Sequence, residues 1–322
     1  QLHNRNYSQC RWWIHGMNFN WRFNHLGMMV ADRDEILHYY QSIGLGLSVG
    51  PQPLLPYEEG EGEITFFREL DGDPVSHKYI TGGPHNFRDG QSQIGNCQIE
   101  VYPMKPGPGM FISRYVESKG GGINHIAFNT ADIENDTNYF KDLGCDLVFN
   151  VSVNGKTTEN YIDTRKHGDL MISLRPSADD WENSWRRNNE SHPLVNNWNF
   201  IGLGICVNDL SAASDYYSSL GFEKISDEKD DKEWSVLRQK FSLGEVSFEL
   251  IQENEKSIYR NSLSQRGEGV SEIIFEVEDL ESELIKFEKK GISALVFSGN
   301  KKKASIDTRE KGNILITLFE KL

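Results

Sequence analysis

The alternation of apolar and polar positions predicts strands in two stretches that resemble each other. FNHLGMMVAD (residues 23–32) and INHIAFNTAD (123–132) each carry Asn-His, an apolar run and then Ala-Asp. Two weaker copies read FIGLGICVND (200–209) and VSEIIFEVED (270–279). Each copy ends in an Asp followed by a run of helical period, such as Ile36, Leu37, Tyr40 and Ile43, and then a Gly. The intervals Asp32–Gly44, Asp132–Gly144, Asp209–Gly221 and Asp279–Gly291 are all 12 residues. An Asp at a helix start accepts orphan backbone N–H groups and suits the positive end of the dipole. A Gly past the last turn supplies the left-handed residue that ends it.

Each copy also closes alike, on a Gly turn and a β-rich run: GNCQIE (95–100), GDLMIS (168–173), GEVSFE (244–249) and GNILIT (312–317). The second and fourth share the turn before it, IDTRKHG (162–168) and IDTREKG (306–312), where Asp-Thr-Arg reads as hairpin chemistry. Four copies of strand, helix and about three further strands follow. Residues 1–22 precede them as an N-terminal extension. The polar stretch 177–199 reads as a linker between the halves 23–176 and 200–322. Residues 48–94, rich in Gly, Pro and acidic side chains, lengthen the first copy as a lid or a long surface loop.

This repeat resembles the vicinal oxygen chelate superfamily, which includes glyoxalase I, methylmalonyl-CoA epimerase, bleomycin resistance proteins and extradiol dioxygenases. The first half is most similar to the epimerase, through FNHLGMMVAD, QIEVYP (98–103) and GGGINHIAF (120–128). The resemblance implies an α+β fold of four βαβββ units, paired into two cupped mixed sheets with flanking helices. It also implies that the first and last strands of each unit send one side chain each into the cup. Those positions are His25, Glu100, His125 and Ser173 in the first half, and Gly202, Glu249, Glu272 and Thr317 in the second.

Two imidazoles and a carboxylate suit one divalent ion (Fe, Mn, Co, Ni or Zn) with positions open for substrate. His25, Glu100 and His125 are therefore the expected ligands. The epimerase pattern has Gln and Glu where this chain has Glu100 and Ser173, so the carboxylate has moved between units. The second half has no His at these positions, and no metal is expected there. Its Glu249 and Glu272 are expected where the cup meets water. For acid–base work the expected residues are Glu63, His77 and His85, in the long insertion. Glu58, Glu59 and Glu61 lie beside the first of these. Tyr102, Arg114, Tyr161 and His167 are further candidates.

Composition narrows the partners. Net charge is −14, which disfavours nucleic acid and anionic membrane. No apolar run approaches the roughly 20 residues of a membrane span. Cys10, Cys97, Cys145 and Cys206 show no metal or redox spacing, as expected of reduced thiols in the cytoplasm. A chain beginning at Gln1 is expected to be a processed or truncated form. The substrate implied is a small molecule with neighbouring oxygens, and a homodimer is left open. The favoured activity is a metal-dependent isomerase, epimerase or lyase. Alternatives are an Fe(II) ring-cleaving dioxygenase and a metal-free binding protein of the bleomycin-resistance kind.

Overall fold

The computed structural model describes residues 19–50, 61–66, 75–80, 90–103, 111–177, 181–254, 256–259, 262–298 and 302–321. The first unit runs β1 (Arg22–Val30), α1 (Arg33–Ile43), β2 (Leu47–Val49), β3 (Glu61–Phe66), β4 (Val75–Ile80), β5 (Gly90–Ile94) and β6 (Cys97–Pro103), then α2 (Phe111–Lys119). The second has β7 (Gly122–Thr130), α3 (Ile133–Asp142), β8 (Leu147–Val153), β9 (Lys156–Ile162) and β10 (Met171–Pro176), then α4 (Trp181–Asn189). The third has β11 (Asn199–Cys206), α5 (Leu210–Ser219), β12 (Lys229–Asp231), β13 (Val236–Leu243) and β14 (Val246–Glu253), then α6 (Ser262–Arg266). The fourth has β15 (Gly269–Val277), α7 (Leu280–Glu288), β16 (Ala294–Ser298), β17 (Lys302–Asp307) and β18 (Leu315–Glu320).

The four Asp residues cap as their spacing predicts. Asp32, Asp132, Asp209 and Asp279 each accept a backbone N–H three residues on. Gly44 ends α1 at φ 89°, a left-handed conformation that costs a side-chain-bearing residue. The Asp-Thr-Arg turns are built alike: Arg165 bonds Asp163 and Thr164 caps Leu170 O, just as Arg309 bonds Asp307 and Thr308 caps Ile314 O.

Two mixed sheets result, in the order β2-β5-β6-β1-β7-β10-β9-β8-β3-β4 and β12-β13-β14-β11-β15-β18-β17-β16. Both are built on the same central pairing, first strand antiparallel to first strand, with the closing strands parallel outside. The first sheet is wider because of the insertion. Its β3–β4 hairpin crosses to the far edge and pairs with β8 of the second unit. The backbone of this part of the insertion thus extends the sheet, an outcome between the lid and the surface loop.

One hydrophobic core runs through both halves, from Phe19 to Leu318. Phe23 and Phe200, equivalent residues of β1 and β11, meet at 4.7 Å between ring centroids. Helices cross-link the halves as well: Tyr139 of α3 donates to Leu220 O, and Lys290 beyond α7 donates to Ser42 O. Among the described residues no helix is long and apolar enough to cross a membrane.

Candidate metal centre

The Asn-His pairs owe their geometry to β-bulges. In a regular strand neighbouring side chains point to opposite faces and cannot meet. The β1–β7 register slips once between Phe23 and His25 and once between Ile123 and His125. Asn24 and Asn124 are therefore the extra residues, and bulges of this kind re-aim side chains. Asn24 Oδ1 lies 2.6 Å from His25 Nδ1, and Asn124 Oδ1 lies 2.7 Å from His125 Nδ1. The second half keeps both bulges, at Ile201 and Ser271, but has neither Asn nor His there. The bulge belongs to the fold; the asparagines accompany the imidazoles.

A chain of amides fixes the protons on His25. Asn129 Nδ2 donates to Pro176 O, so Asn129 presents its oxygen to Asn24 Nδ2 at 2.8 Å. Asn24 must then offer its oxygen to His25, which donates from Nδ1. The polar linker stretch supports this chain. Arg186 of α4 donates to the bulged Asn24 O at 2.8 Å, and Asn183 Nδ2 donates to Asn129 Oδ1 at 2.7 Å.

The other ring nitrogens converge. His25 Nε2 lies 3.3 Å from His125 Nε2 and 3.3 Å from Glu100 Oε2. Both rings are fully buried, and Glu100 is almost so. Burial, then the charge of Arg175, holds His125 down to about 3. Burial, then Arg175, His125 and Arg186, holds His25 well below the ordinary imidazole range. Both rings are neutral at pH 7, so unprotonated Nε2 faces unprotonated Nε2 and a carboxylate oxygen. A cation satisfies all three. Two donors about 2.1 Å from one ion, at tetrahedral or octahedral angles, stand about 3.0–3.4 Å apart, which the two measured separations match. Among the described residues no three His, Cys, Asp or Glu side chains form a ready-made cage; the donors fit a metal in kind, and two of their three pairs in spacing.

Gly27 makes room for this set. A Cβ there would lie 1.7 Å from His125 Cε1. We expect Gly27→Ala to displace the ring, cost about 1–3 kcal/mol by overpacking, and weaken metal binding; unfolding and metal titration on one sample check both.

The surroundings add residues that sequence reasoning did not single out. Glu159 of β9 accepts from Ser173 Oγ at 2.5 Å and from Arg175 Nη2 at 3.1 Å, and Arg175 is buried. Alternation along β9 and β10 was the available signal, since Glu159 and Tyr161, like Ser173 and Arg175, share a face. Tyr102 donates to Glu100 Oε2, and Tyr161 Oη lies 3.2 Å from His125 Nε2. Two other candidates stand apart: Arg114 is exposed on α2, and the His167 ring packs 5.5 Å from Tyr216. Glu63 pairs with Ser152 and Lys78 in the backbone register, and His77 with Ile64. Glu58, Glu59 and His85 lie outside the described residues.

The second cup corrects one expectation. Glu272 is fully buried rather than at a water boundary. Arg238 of β13 sits between the two glutamates, with Nη1 2.8 Å from Glu249 Oε2 and 3.2 Å from Glu272 Oε1. Its Nη2 donates to Tyr259 Oη at 2.8 Å, and Trp234 faces its guanidinium at 4.6 Å. Gly27↔His125 and Gly27↔Glu100 in the first half match Gly204↔Glu272 and Gly204↔Glu249 in the second. A built-in cation thus holds the glutamates in the half that lacks imidazoles.

Two sheets of paired βαβββ units, each cupped round a polar centre, define the vicinal oxygen chelate fold. Residues 203–309 match the Glyoxalase/Bleomycin resistance protein/Dioxygenase superfamily, so the sequence signature is strongest in the half without histidines. Among solved structures, a triple mutant of 4-hydroxymandelate synthase from Streptomyces coelicolor is similar over 94% of this chain and 92% of its own, with TM-score 0.61 and 13% identity. Methylmalonyl-CoA epimerase from Mycobacterium tuberculosis is similar over 38% of this chain and 88% of its own, with TM-score 0.35 and 22% identity. No curated protein sequence matches the chain.

Proposed function

We propose that His25, Glu100 and His125 hold one divalent metal ion, and that the protein is an isomerase, epimerase or lyase that removes a proton beside a carbonyl. The observation that carries this reading is the convergence of two unprotonated imidazole nitrogens and a carboxylate in a buried cup. A bound divalent ion would supply Lewis acidity toward a carbonyl and its neighbouring oxygen. The chain's own groups supply the rest. Asn24 and Asn124 orient the rings. The Glu159 carboxylate, held by Ser173 and Arg175, is a proton acceptor on the same sheet as the ligands. Glu63, His77 and His85 are proposed alongside it.

His25→Ala and His125→Ala should each remove most of the metal from purified protein. Full stoichiometry in both variants would refute the site. With the site established, 2-oxo and acyl-thioester compounds in anaerobic D₂O should show metal-dependent C–H exchange that Glu159→Gln, or one of the insertion variants, slows. Oxygen uptake with catechols, and no exchange with any carbonyl compound, would instead favour the two-His-one-carboxylate dioxygenase.

The asparagines give a subtler test. Asn24→Ala leaves the ligands in place but frees the His25 ring and its tautomer. We expect metal affinity to fall about 10–100-fold, as for other outer partners of ligating histidines, with stoichiometry restored at high metal. Isothermal titration of metal-stripped protein measures this.

A further inference from the structure

We propose that the phenol oxygen of Tyr161 is a fourth protein donor to the metal ion. The proposal rests on the metal site described above and extends its ligand set. Tyr161 Oη is 3.2 Å from His125 Nε2, close to the 3.3 Å that separates His25 Nε2 from each of its two neighbours in the cup. The three successive separations, Glu100 to His25, His25 to His125 and His125 to Tyr161, thus each match those of neighbouring ligands on an ion.

Topology explains why a tyrosine is placed there. Tyr161 of β9 lies directly opposite Ser173 of β10. Ser173 occupies the cup position of the closing strand, but its hydroxyl is engaged by Glu159 at 2.5 Å. The strand next door reaches the centre instead, with a longer side chain. Its aim is fixed. The Tyr161 ring stacks on Phe149 at 3.7 Å and 24°, stands edge-on to His125 at 4.7 Å and 71°, and is 2% exposed. In the second cup the equivalent residue is Ser305, which bonds Thr317 at 2.9 Å where Arg238 already supplies the cation. At this strand position tyrosine stands in the cup that has imidazoles and serine in the other.

The chemistry follows from the lone pair on His125 Nε2. In the metal-free cup the phenol donates to it. Were that lone pair coordinated, the Glu159 carboxylate, which also bonds the phenol, would remain as its proton acceptor. One metal–oxygen bond would form, the O–H bond would break, and the proton would pass to Glu159 and from there to water. Two neutral imidazoles, one carboxylate and one phenolate then carry −2, which balances a divalent ion. Hard oxygen donors of this kind favour iron or manganese within the range the site admits.

Ferric iron is the probe, added as its nitrilotriacetate complex to metal-stripped full-length protein, with bound iron measured on the same sample. A phenolate bound to iron(III) gives a visible charge-transfer band. We expect that band in the native protein and in Tyr102→Phe, and its loss in Tyr161→Phe with iron still bound, about tenfold or more weakly. Stoichiometric iron without the band would overturn the proposal and leave the three-ligand site standing. A band that survives in Tyr161→Phe and vanishes in Tyr102→Phe would also overturn it. Failure of the native protein to bind iron, cobalt or manganese would overturn both the proposal and the site beneath it.

Discussion

Arg238→Ala lowers the free energy of unfolding by about 3–5 kcal/mol, the cost of leaving a buried charge uncompensated. Glu272 is the reason. Its side chain is 1% exposed, and without the guanidinium it keeps two neutral hydroxyls, those of Tyr259 and of Thr317, the latter donating to Oε2 at 2.6 Å. Glu249, 21% exposed, can turn toward water and loses less. Stacking on Trp234 goes as well. Urea unfolding of Arg238→Ala, Glu272→Gln and the double variant reads the effect. The double variant should recover much of the loss, because the uncompensated charge has gone with its partner. Glu249→Gln and Glu272→Gln should leave metal content unchanged. A fully stable Arg238→Ala, or loss of metal from either glutamine variant, would show that the second cup is not held in this way.

Metal-stripped protein loses stability as the pH falls below about 6.5, through His25 and His125. The sign follows from proton counting. Below that pH the unfolded chain takes up a proton on each ring. The folded protein does not, because burial, then Arg175, holds both rings down, His125 to about 3. The folded form therefore has its full stability above about 6.5 and loses it on acidification, down to pH about 3 for His125. At pH 5 the two rings together cost about 4 kcal/mol. Urea midpoints at pH 7.5, 6 and 5 measure the loss. A His25→Gln, His125→Gln double variant should be flatter over this window, the difference isolating the imidazoles from other acids. Equal pH dependence in the two proteins would mean that the rings are not held neutral. Saturating metal should oppose the loss down to the pH at which protons displace the ion.

The sequence by itself determined the repeat. Four Asp-to-Gly intervals specify four capped helices, because a cap and a left-handed turn are local demands met within one helix length. His25, Glu100 and His125 were legible as a set because equivalent residues of a repeated unit reach equivalent points of one sheet. The Asn-His dipeptides were visible too, but not their purpose. An asparagine contacts the next residue's ring only because a bulge turns the strand, and a bulge is a property of a strand pair. Glu159, Arg175 and Arg238, and the place of the candidate Tyr161 beside His125, needed the tertiary structure for a similar reason. Each acts from an interior strand of a hairpin or a closing strand, and strand register determines which side chain meets the centre. The insertion was the least legible part. Nothing local in its Gly, Pro and acidic residues requires its β3–β4 hairpin to pair at the far edge of the sheet; the open backbone edge of β8 does, and that edge belongs to the second unit.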